Sequence, residues 1–355
     1  MNEKVAVVGI VGLPANYGGF ETLVDNLVSE KGELFRIYCS SAAYEKKIRK
    51  YKNCDLFYIP LKANGIQSIA YDFISIFHAI TSGYKKILIL GVSGALAIKM
   101  VRIFFPEILT ITNIDGLEWQ RKKWGKFTRA FLKILESIAI KNSTHIICDN
   151  PAILDYVKNN YGINGHLIAY GGDNAIPKNT INKNDLNKKS EYYLSICRIE
   201  PENNIHTILK SFSENNKKII FIGNWQASTY GLHLKNQFSV YKNIELLDPI
   251  YDQEKLFIFR KNCIGYIHGH SAGGTNPSLV EMMHFGKPII LFDCQYNRAT
   301  MLNEGLYFSN SADLKEILNN PINSIVMGAK IKKIAQENYT WKSIRNKYFE
   351  ILDIK

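Results

Sequence analysis

The sequence predicts an α/β protein made of two doubly wound domains, each a parallel sheet covered by helices on both faces. Three observations predict it. Short β-type runs alternate with helical stretches along all 355 residues, a length that suits about two domains. An apolar fraction of 46% is enough for sizeable cores and excludes global disorder. A polar stretch, "DNAIPKNTINKNDLNKKS", then separates two sets of strands and reads as a linker.

In the first set, strands are expected near residues 5–10, 35–39, 56–59, 87–90, 109–113, 145–148 and 166–169. In the second they are expected near 192–196, 218–222, 244–247, 264–267 and 288–292. The expected organisation is a first domain over 1–172, a linker over 173–190 and a second domain over 191–337. A C-terminal helix over 338–355 packs back on the first domain. Ligands of such sheets sit beyond the carboxyl ends of the strands, and a cleft between domains is a favoured pocket.

The six cysteines are scattered without a C-x-x-C pair, which suits small core residues in a reducing compartment. No secretory signal is evident, and the longest candidate span, residues 87–98, is short of the ~18 apolar residues a spanning helix needs. The expected location is cytoplasmic. A net charge of +12 points to an anionic partner: nucleic acid, anionic lipid or a phosphorylated substrate. No zinc-finger spacing, aromatic RNA-binding motif or long basic tail is present, so nucleic acid is not expected.

"SAGGTNPSLVEMMHFGKPII", from Ser271, reads as a glycine loop entering a helix. Asn276 suits the N-cap, Pro277 the first helical position and Gly286 the residue after the helix, with Pro288 barring continuation. Such a start at Asn276, Ser278 and Leu279, behind a loop of Gly273, Gly274 and Thr275 that lets a ligand come close, is expected to receive an anion, with a plain helix cap as the alternative. The first strand runs into "GIVGLPANYGGFETLVDNLV", where Gly18 and Gly19 open a helix. Its glycine spacing is neither that of a dinucleotide-binding turn nor that of a phosphate loop. Either a ligand approaches the backbone at Gly18 and Gly19, or a tight strand-to-helix turn explains the glycines equally well.

"GLPANYGGFETLVDNL", "RIEPENNIH" and "HGHSAGGTNPSLVEMMHFGKP", in this order, resemble bacterial rhamnosyltransferases of glycosyltransferase family 4. The resemblance runs from the first strand to the closing "YTWKSIRNKYFEIL". It implies a GT-B fold, two Rossmann-like domains facing each other across a cleft. It also implies retaining transfer from a nucleotide-diphosphate sugar into capsule, O-antigen or cell-wall polysaccharide.

Carried over residue by residue, Arg198 contacts the donor diphosphate, a task that guanidinium geometry suits; a surface ion pair with Glu200 or Glu202 is the alternative. Many family members have a lysine at the position of Asn203; the rhamnosyltransferase branch has asparagine. Glu281 matches the second glutamate of a paired motif and is expected on the donor ribose. The first glutamate would fall at Gly273 and is absent. In "NIDGLEWQRKKW", Asp115 stands where many relatives carry histidine and is the expected catalytic carboxylate, with an Asp-Gly turn as the alternative. Together with Arg198 and Glu281 it completes the expected catalytic set. Tyr17, Phe20, Glu21, Glu118 and Trp119 are expected on the acceptor side.

His268 and His270 flank Gly269 without further ligands at a zinc-like spacing, so phosphate or sugar contact is expected of this loop. No Asp-x-Asp occurs, which argues against a metal-bound diphosphate; no metal or other cofactor is expected. Asp252-x-Glu254 reads as a helix cap. From Arg121 to Lys133 there are six basic residues and no acidic one, with apolar residues at helical spacing. Lys122, Lys123, Trp124, Lys126, Phe127 and Arg129 are accordingly expected on an anionic membrane, unless the helix merely faces the core.

The expectation is therefore a retaining transferase peripheral to the inner face of the cell membrane. Its donor is dTDP-rhamnose and its acceptor a polyprenyl-diphosphate-linked saccharide. A UDP-hexose donor, or a non-catalytic nucleotide-sugar-binding role in an assembly complex, are the alternatives.

Overall fold

The computed structural model describes residues 4–15, 18–121, 124–177 and 191–354. Tyr17, Lys122, Lys123 and most of the expected linker lie outside them. The chain divides into two units, one of Met1–Tyr170 with Lys342–Lys355, the other of Gly171–Trp341.

The first unit holds an eight-stranded sheet: β1 (Val5–Val8), β2 (Phe35–Ser40), β3 (Lys50–Tyr51), β4 (Cys54–Ile59), β5 (Lys86–Leu90), β6 (Leu109–Asn113), β7 (His145–Cys148) and β8 (His166–Leu167). Their order is β3-β4-β2-β1-β5-β6-β7-β8. Every pairing is parallel except β3 with β4. The central strands β1 and β5 are buried at every position, and apart from Lys86 at the start of β5 they read as apolar runs.

The β3 strand is absent from the sequence expectations for a physical reason. Its hairpin to β4 turns at Lys52 and Asn53, both at positive φ (43° and 64°), the two-residue geometry that Asn-Gly usually announces. Here the turn is Lys-Asn, and a two-residue strand has no periodicity to detect.

The helix Trp341–Ile351 closes this unit. Phe349 stacks near Phe35 (6.3 Å), the Asn113 amide donates to the Tyr348 hydroxyl (2.8 Å), and Lys86 Nζ donates to Leu352 O (3.0 Å).

The second unit is a six-stranded, all-parallel sheet: β9 (Tyr192–Ile196), β10 (Lys218–Ile222), β11 (Ile244–Leu247), β12 (Gly265–His268), β13 (Ile289–Phe292) and β14 (Leu306–Phe308). The order is β11-β10-β9-β12-β13-β14. Its core gathers Phe212, Phe221, Trp225, Ile267, Ile290 and Phe308. β14 has three residues, too short for a pattern to reveal.

Asp173–Ala175, at the start of the stretch expected as linker, forms a 3-10 turn in this unit. The Trp341 backbone N–H donates to Asp173 (2.7 Å) and its indole N–H to Asn174 (2.7 Å).

Candidate functional site

Each sheet has one place where strand order reverses, and there the loops at the carboxyl ends splay apart to leave a crevice. In the second unit it lies between β9 and β12. The chain leaves β9 into Arg198 and leaves β12 at His268 into Gly269 and His270, so residues far apart in sequence meet at one edge.

Asn203 ties these two loops together. Its amide N–H donates to Arg198 O (2.7 Å), and its Oδ1 lies 2.8 Å from His270 Nδ1. The next residue, Asn204, donates to Gly269 O (2.8 Å). Asn203 is 4% exposed, and both ends of its amide are committed inside the protein. Asn203, a residue the resemblance places on the donor, also sets the spacing of the residues that flank the crevice.

Arg198 Nη2 lies 3.7 Å from Glu200 Oε2, and the two side chains are 45% and 31% exposed. The ion pair weighed as the alternative for Arg198 therefore exists. Its length and exposure make it a weak pair.

The glycine loop leads into the helix Pro277–Met283, capped by Asn276, whose Oδ1 accepts from Ser278 N (3.0 Å) and Ser278 Oγ (2.8 Å). Pro277 occupies the first helical position, and Gly286 has φ +63°. The expectation of free amides needs correction at two positions. Ser278 N is taken by the cap, and Leu279 N donates to Asn276 O (3.1 Å). The backbone amides not taken up by the cap therefore belong not to the first turn of the helix but to the loop before it. There Gly273 sits at φ +112°, and a Cβ on it would find only His270 Nε2, at 3.4 Å.

Glu281 brings in a residue that the sequence reading missed. Its Oε2 forms an ion pair with Nη2 of Arg260, which is 3% exposed, and its Oε1 lies 3.3 Å from Asn174 Nδ2. The helix Gln253–Asn262, capped by Asp252 as expected, carries Arg260 in its last turn. There it reads as an ordinary basic residue complementing the helix end.

His268 corrects another expectation. It is 2% exposed, its Nε2 finds no hydrogen-bond partner among the described residues, and burial pushes its imidazole down to about 3. A neutral ring cannot bring positive charge to a phosphate. Unfolded, this histidine protonates near 6.5, so its contribution is whole above that pH and is lost as pH falls toward 3. Lowering pH from 7 to 5 is expected to remove roughly 2 kcal/mol of stability through this residue alone. Urea unfolding at both pH values checks it: His268→Phe should show a smaller loss than the wild-type chain, and equal losses would refute the assignment.

In the first unit the order reverses between β1 and β5. Glu21, on the helix Gly19–Leu27, reaches back to accept from Val11 N (2.8 Å). Burial pushes its carboxyl above the usual range, the Val11 amide draws it down, and the Asp115 charge raises it again. A Cβ on Gly18, at φ +109°, would lie 2.0 Å from Glu21 Oε2, so glycine is needed for this carboxylate to fold under the loop. Gly18 thus has a packing reason of its own.

Asp115, just past β6, has φ +57°, and its N–H donates to Asn113 Oδ1 (3.0 Å). The turn weighed as its alternative is therefore real, and it carries the carboxylate to within electrostatic reach of Glu21. Phe20 is half-buried near Gly91.

Glu118 and Trp119, expected on the acceptor side, organise their own loop. Glu118 accepts from Trp124 Nε1 (3.0 Å) and pairs with Arg121 (2.9 Å). Trp119 Nε1 donates to Glu136 (3.0 Å), and Lys133 sits over its ring at 4.3 Å. Glu136, 3% exposed, also accepts from Tyr156 (2.6 Å) and Tyr161 (3.0 Å). No group of three or more His, Cys, Asp and Glu suited to a metal ion occurs among the described residues.

Residues 177–337 match the family model described as glycosyl transferases group 1, and residues 2–173 match a domain of unknown function, DUF1972. No curated protein matches the sequence significantly. Among solved structures, sucrose-phosphate synthase from Thermosynechococcus elongatus aligns with TM-score 0.78 at 14% identity, covering 99% of this chain and 98% of that one. HepE of Anabaena in complex with UDP-glucose aligns with TM-score 0.75 at 14% identity, covering 99% of each chain. An alpha,alpha-trehalose 6-phosphate synthase from Burkholderia multivorans gives 0.73 at 10% identity, covering 99% and 98%. At these identities the likeness is one of fold.

Proposed function

We propose that this chain, whose residues 177–337 match glycosyl transferases group 1 and whose fold is of the GT-B type, is a retaining rhamnosyltransferase. It moves L-rhamnose from dTDP-rhamnose to a polyprenyl-diphosphate-linked saccharide in capsule, O-antigen or cell-wall polysaccharide assembly. Arg198 takes up the diphosphate charge that grows as the bond to the sugar breaks. Glu281, braced by Arg260, offers carboxylate oxygens to the ribose hydroxyls. Asp115 receives the acceptor proton or stabilises the cationic sugar, and no metal takes part. The chain works at the inner face of the cell membrane, where residues 121–133 meet anionic lipid.

One observation carries the donor assignment. Where related enzymes hold sugar hydroxyls with a glutamate, this chain has Gly273 at φ +112°, a conformation that disfavours any side chain. A sugar bound there is recognised by shape, which suits a 6-deoxy ring. The alternative, a UDP-hexose donor, is favoured by the UDP-glucose bound in the HepE structure.

A ligand that binds only the folded chain raises its unfolding temperature, and at 100 times Kd the stabilisation is about 2.7 kcal/mol. Across a panel of nucleotide sugars, dTDP-rhamnose is expected to protect most against heat unfolding and to be hydrolysed slowly without acceptor. Greatest protection by a UDP-hexose would favour the alternative donor. Protection without hydrolysis or transfer would identify a binding protein rather than an enzyme.

A further inference from the structure

We infer that the lipid-facing surface of this protein is a two-helix face, in which the helix Ala95–Phe104 contributes the apolar half and the helix Lys126–Asn142 the basic half with its own aromatic residues. The inference deepens the membrane association proposed above and rests on it. Sequence periodicity pointed only to the second helix.

The two helices pack on each other, and both bury their inner faces in one core. Ala95, Ala97, Ile98 and Val101 enter it from the first helix, Leu135 and Ala139 from the second. Their outer faces therefore look away from the same side of the sheet. On the first helix these faces expose Leu96, Met100, Ile103 and Phe104, the last two at 59% and 64%. On the second they expose Phe127, Phe131 and Ile134, with Phe127 at 94%. A soluble surface scatters such side chains singly, whereas here they gather on two neighbouring helices.

Charge names the occupant. Residues 95–105 and 121–134 hold eight lysines and arginines and no acidic residue. The nearest acids in sequence are Glu107, Glu118 and Glu136; Glu118 is already paired with Arg121, and Glu136 is buried, accepting from Trp119, Tyr156 and Tyr161. Lys99, Arg102, Lys126, Arg129 and Lys133 are exposed beside the apolar side chains. Apolar residues inserted among cations fit a bilayer surface carrying anionic headgroups, and each half alone would bind it weakly. No helix among the described residues is long and apolar enough to cross a membrane, so contact through this face is interfacial.

Flotation with phosphatidylglycerol-containing and pure phosphatidylcholine vesicles tests it, using the full chain. Wild type should float with the anionic vesicles and lose binding as salt rises, since surface attraction is screened. Ile103→Ser with Phe104→Ser, on the helix that sequence did not single out, should weaken that binding about tenfold, and Lys99→Gln with Arg102→Gln should weaken it too.

Both variants should keep the wild-type unfolding temperature and its shift with nucleotide sugar, because neither touches the donor unit. Unchanged flotation in the Ile103/Phe104 variant would confine membrane binding to the second helix and overturn the inference. So would a wild-type dimer that these substitutions dissociate, seen by sedimentation velocity, because the face would then join two copies. Loss of flotation in a chain that transfers no sugar to a water-soluble acceptor would sustain the surface and refute the transferase reading instead.

Discussion

Arg198→Ala and Glu281→Ala are each expected to lower turnover at least about tenfold, the loss that accompanies ~1.4 kcal/mol of transition-state stabilisation. Arg198 stands where strand order reverses, its backbone held by Asn203 and its side chain 45% exposed. Its contact with Glu200, at 3.7 Å between partly exposed side chains, is a weak one. Glu281 differs because its carboxylate is already engaged by Arg260 and Asn174.

Those contacts fix the carboxylate, but they also complicate the alanine variant. Removing Glu281 strands the guanidinium of Arg260, 3% exposed, at a cost of about 3–5 kcal/mol in stability. Glu281→Gln separates the two effects, since an amide keeps the shape and an oxygen acceptor while losing the charge. The expected pattern is a Gln variant that folds and still turns over slowly. Unfolding curves and steady-state kinetics on all three variants check it. Wild-type kinetics in Arg198→Ala and Glu281→Gln with every donor tested would show that the donor site lies elsewhere.

Much of this molecule is legible in its sequence because its strands are buried on both faces. Residues 87–90 and Ile289–Phe292 are apolar runs of the kind a covered parallel sheet accommodates. Local chemistry is legible for the same kind of reason: Asn276 and Pro277 each suit one backbone role and fill it, whereas the helix ends at Met283 with His284 as its C-cap, and Gly286 turns the chain at φ +63° two residues later. What escapes is whatever depends on partners distant in sequence. Arg260 and Glu281 are 21 residues apart, and nothing local in either announces the other. Glu136 looks like a surface residue of a basic helix until the fold brings Trp119, Tyr156 and Tyr161 around it. His268 stands next to a glycine loop, which suggested a ligand, whereas in the fold it is the last residue of β12 and its ring is buried. The exposed half of Ala95–Phe104 was hidden differently. Its sequence, ALAIKMVRIF, is apolar nearly all round and reads as a buried helix.

Donor choice carries the other large expected effect. dTDP-rhamnose should be turned over at least about tenfold more efficiently than UDP-glucose or UDP-galactose, a discrimination of ~1.4 kcal/mol that one contact difference supplies. Gly273 motivates it. The φ of +112° is one that side chains rarely adopt, and holding a glutamate there costs on the order of 1–3 kcal/mol in strain. The added Cβ itself has room, since its nearest neighbour is His270 Nε2 at 3.4 Å. The carboxylate beyond it would occupy space that a glycine leaves to the sugar.

A 6-deoxy sugar presents a methyl group where a hexose has a hydroxyl, so a site without that carboxylate has no acceptor to leave unpaired when rhamnose binds. Placed in the loop by mutation, a carboxylate would face the methyl and lose hydration without gaining a hydrogen bond. Gly273→Glu is therefore expected to lower activity with dTDP-rhamnose without creating an efficient hexosyltransferase, because the strained backbone does not deliver the carboxylate where a hexose needs it. Side-by-side kcat/KM values for the three donors, on wild type and Gly273→Glu, decide the matter. A wild-type preference for a UDP-hexose would overturn the rhamnose assignment. A gain of hexose transfer in the variant would show instead that this loop selects the sugar by its missing carboxylate alone, with backbone strain of no consequence.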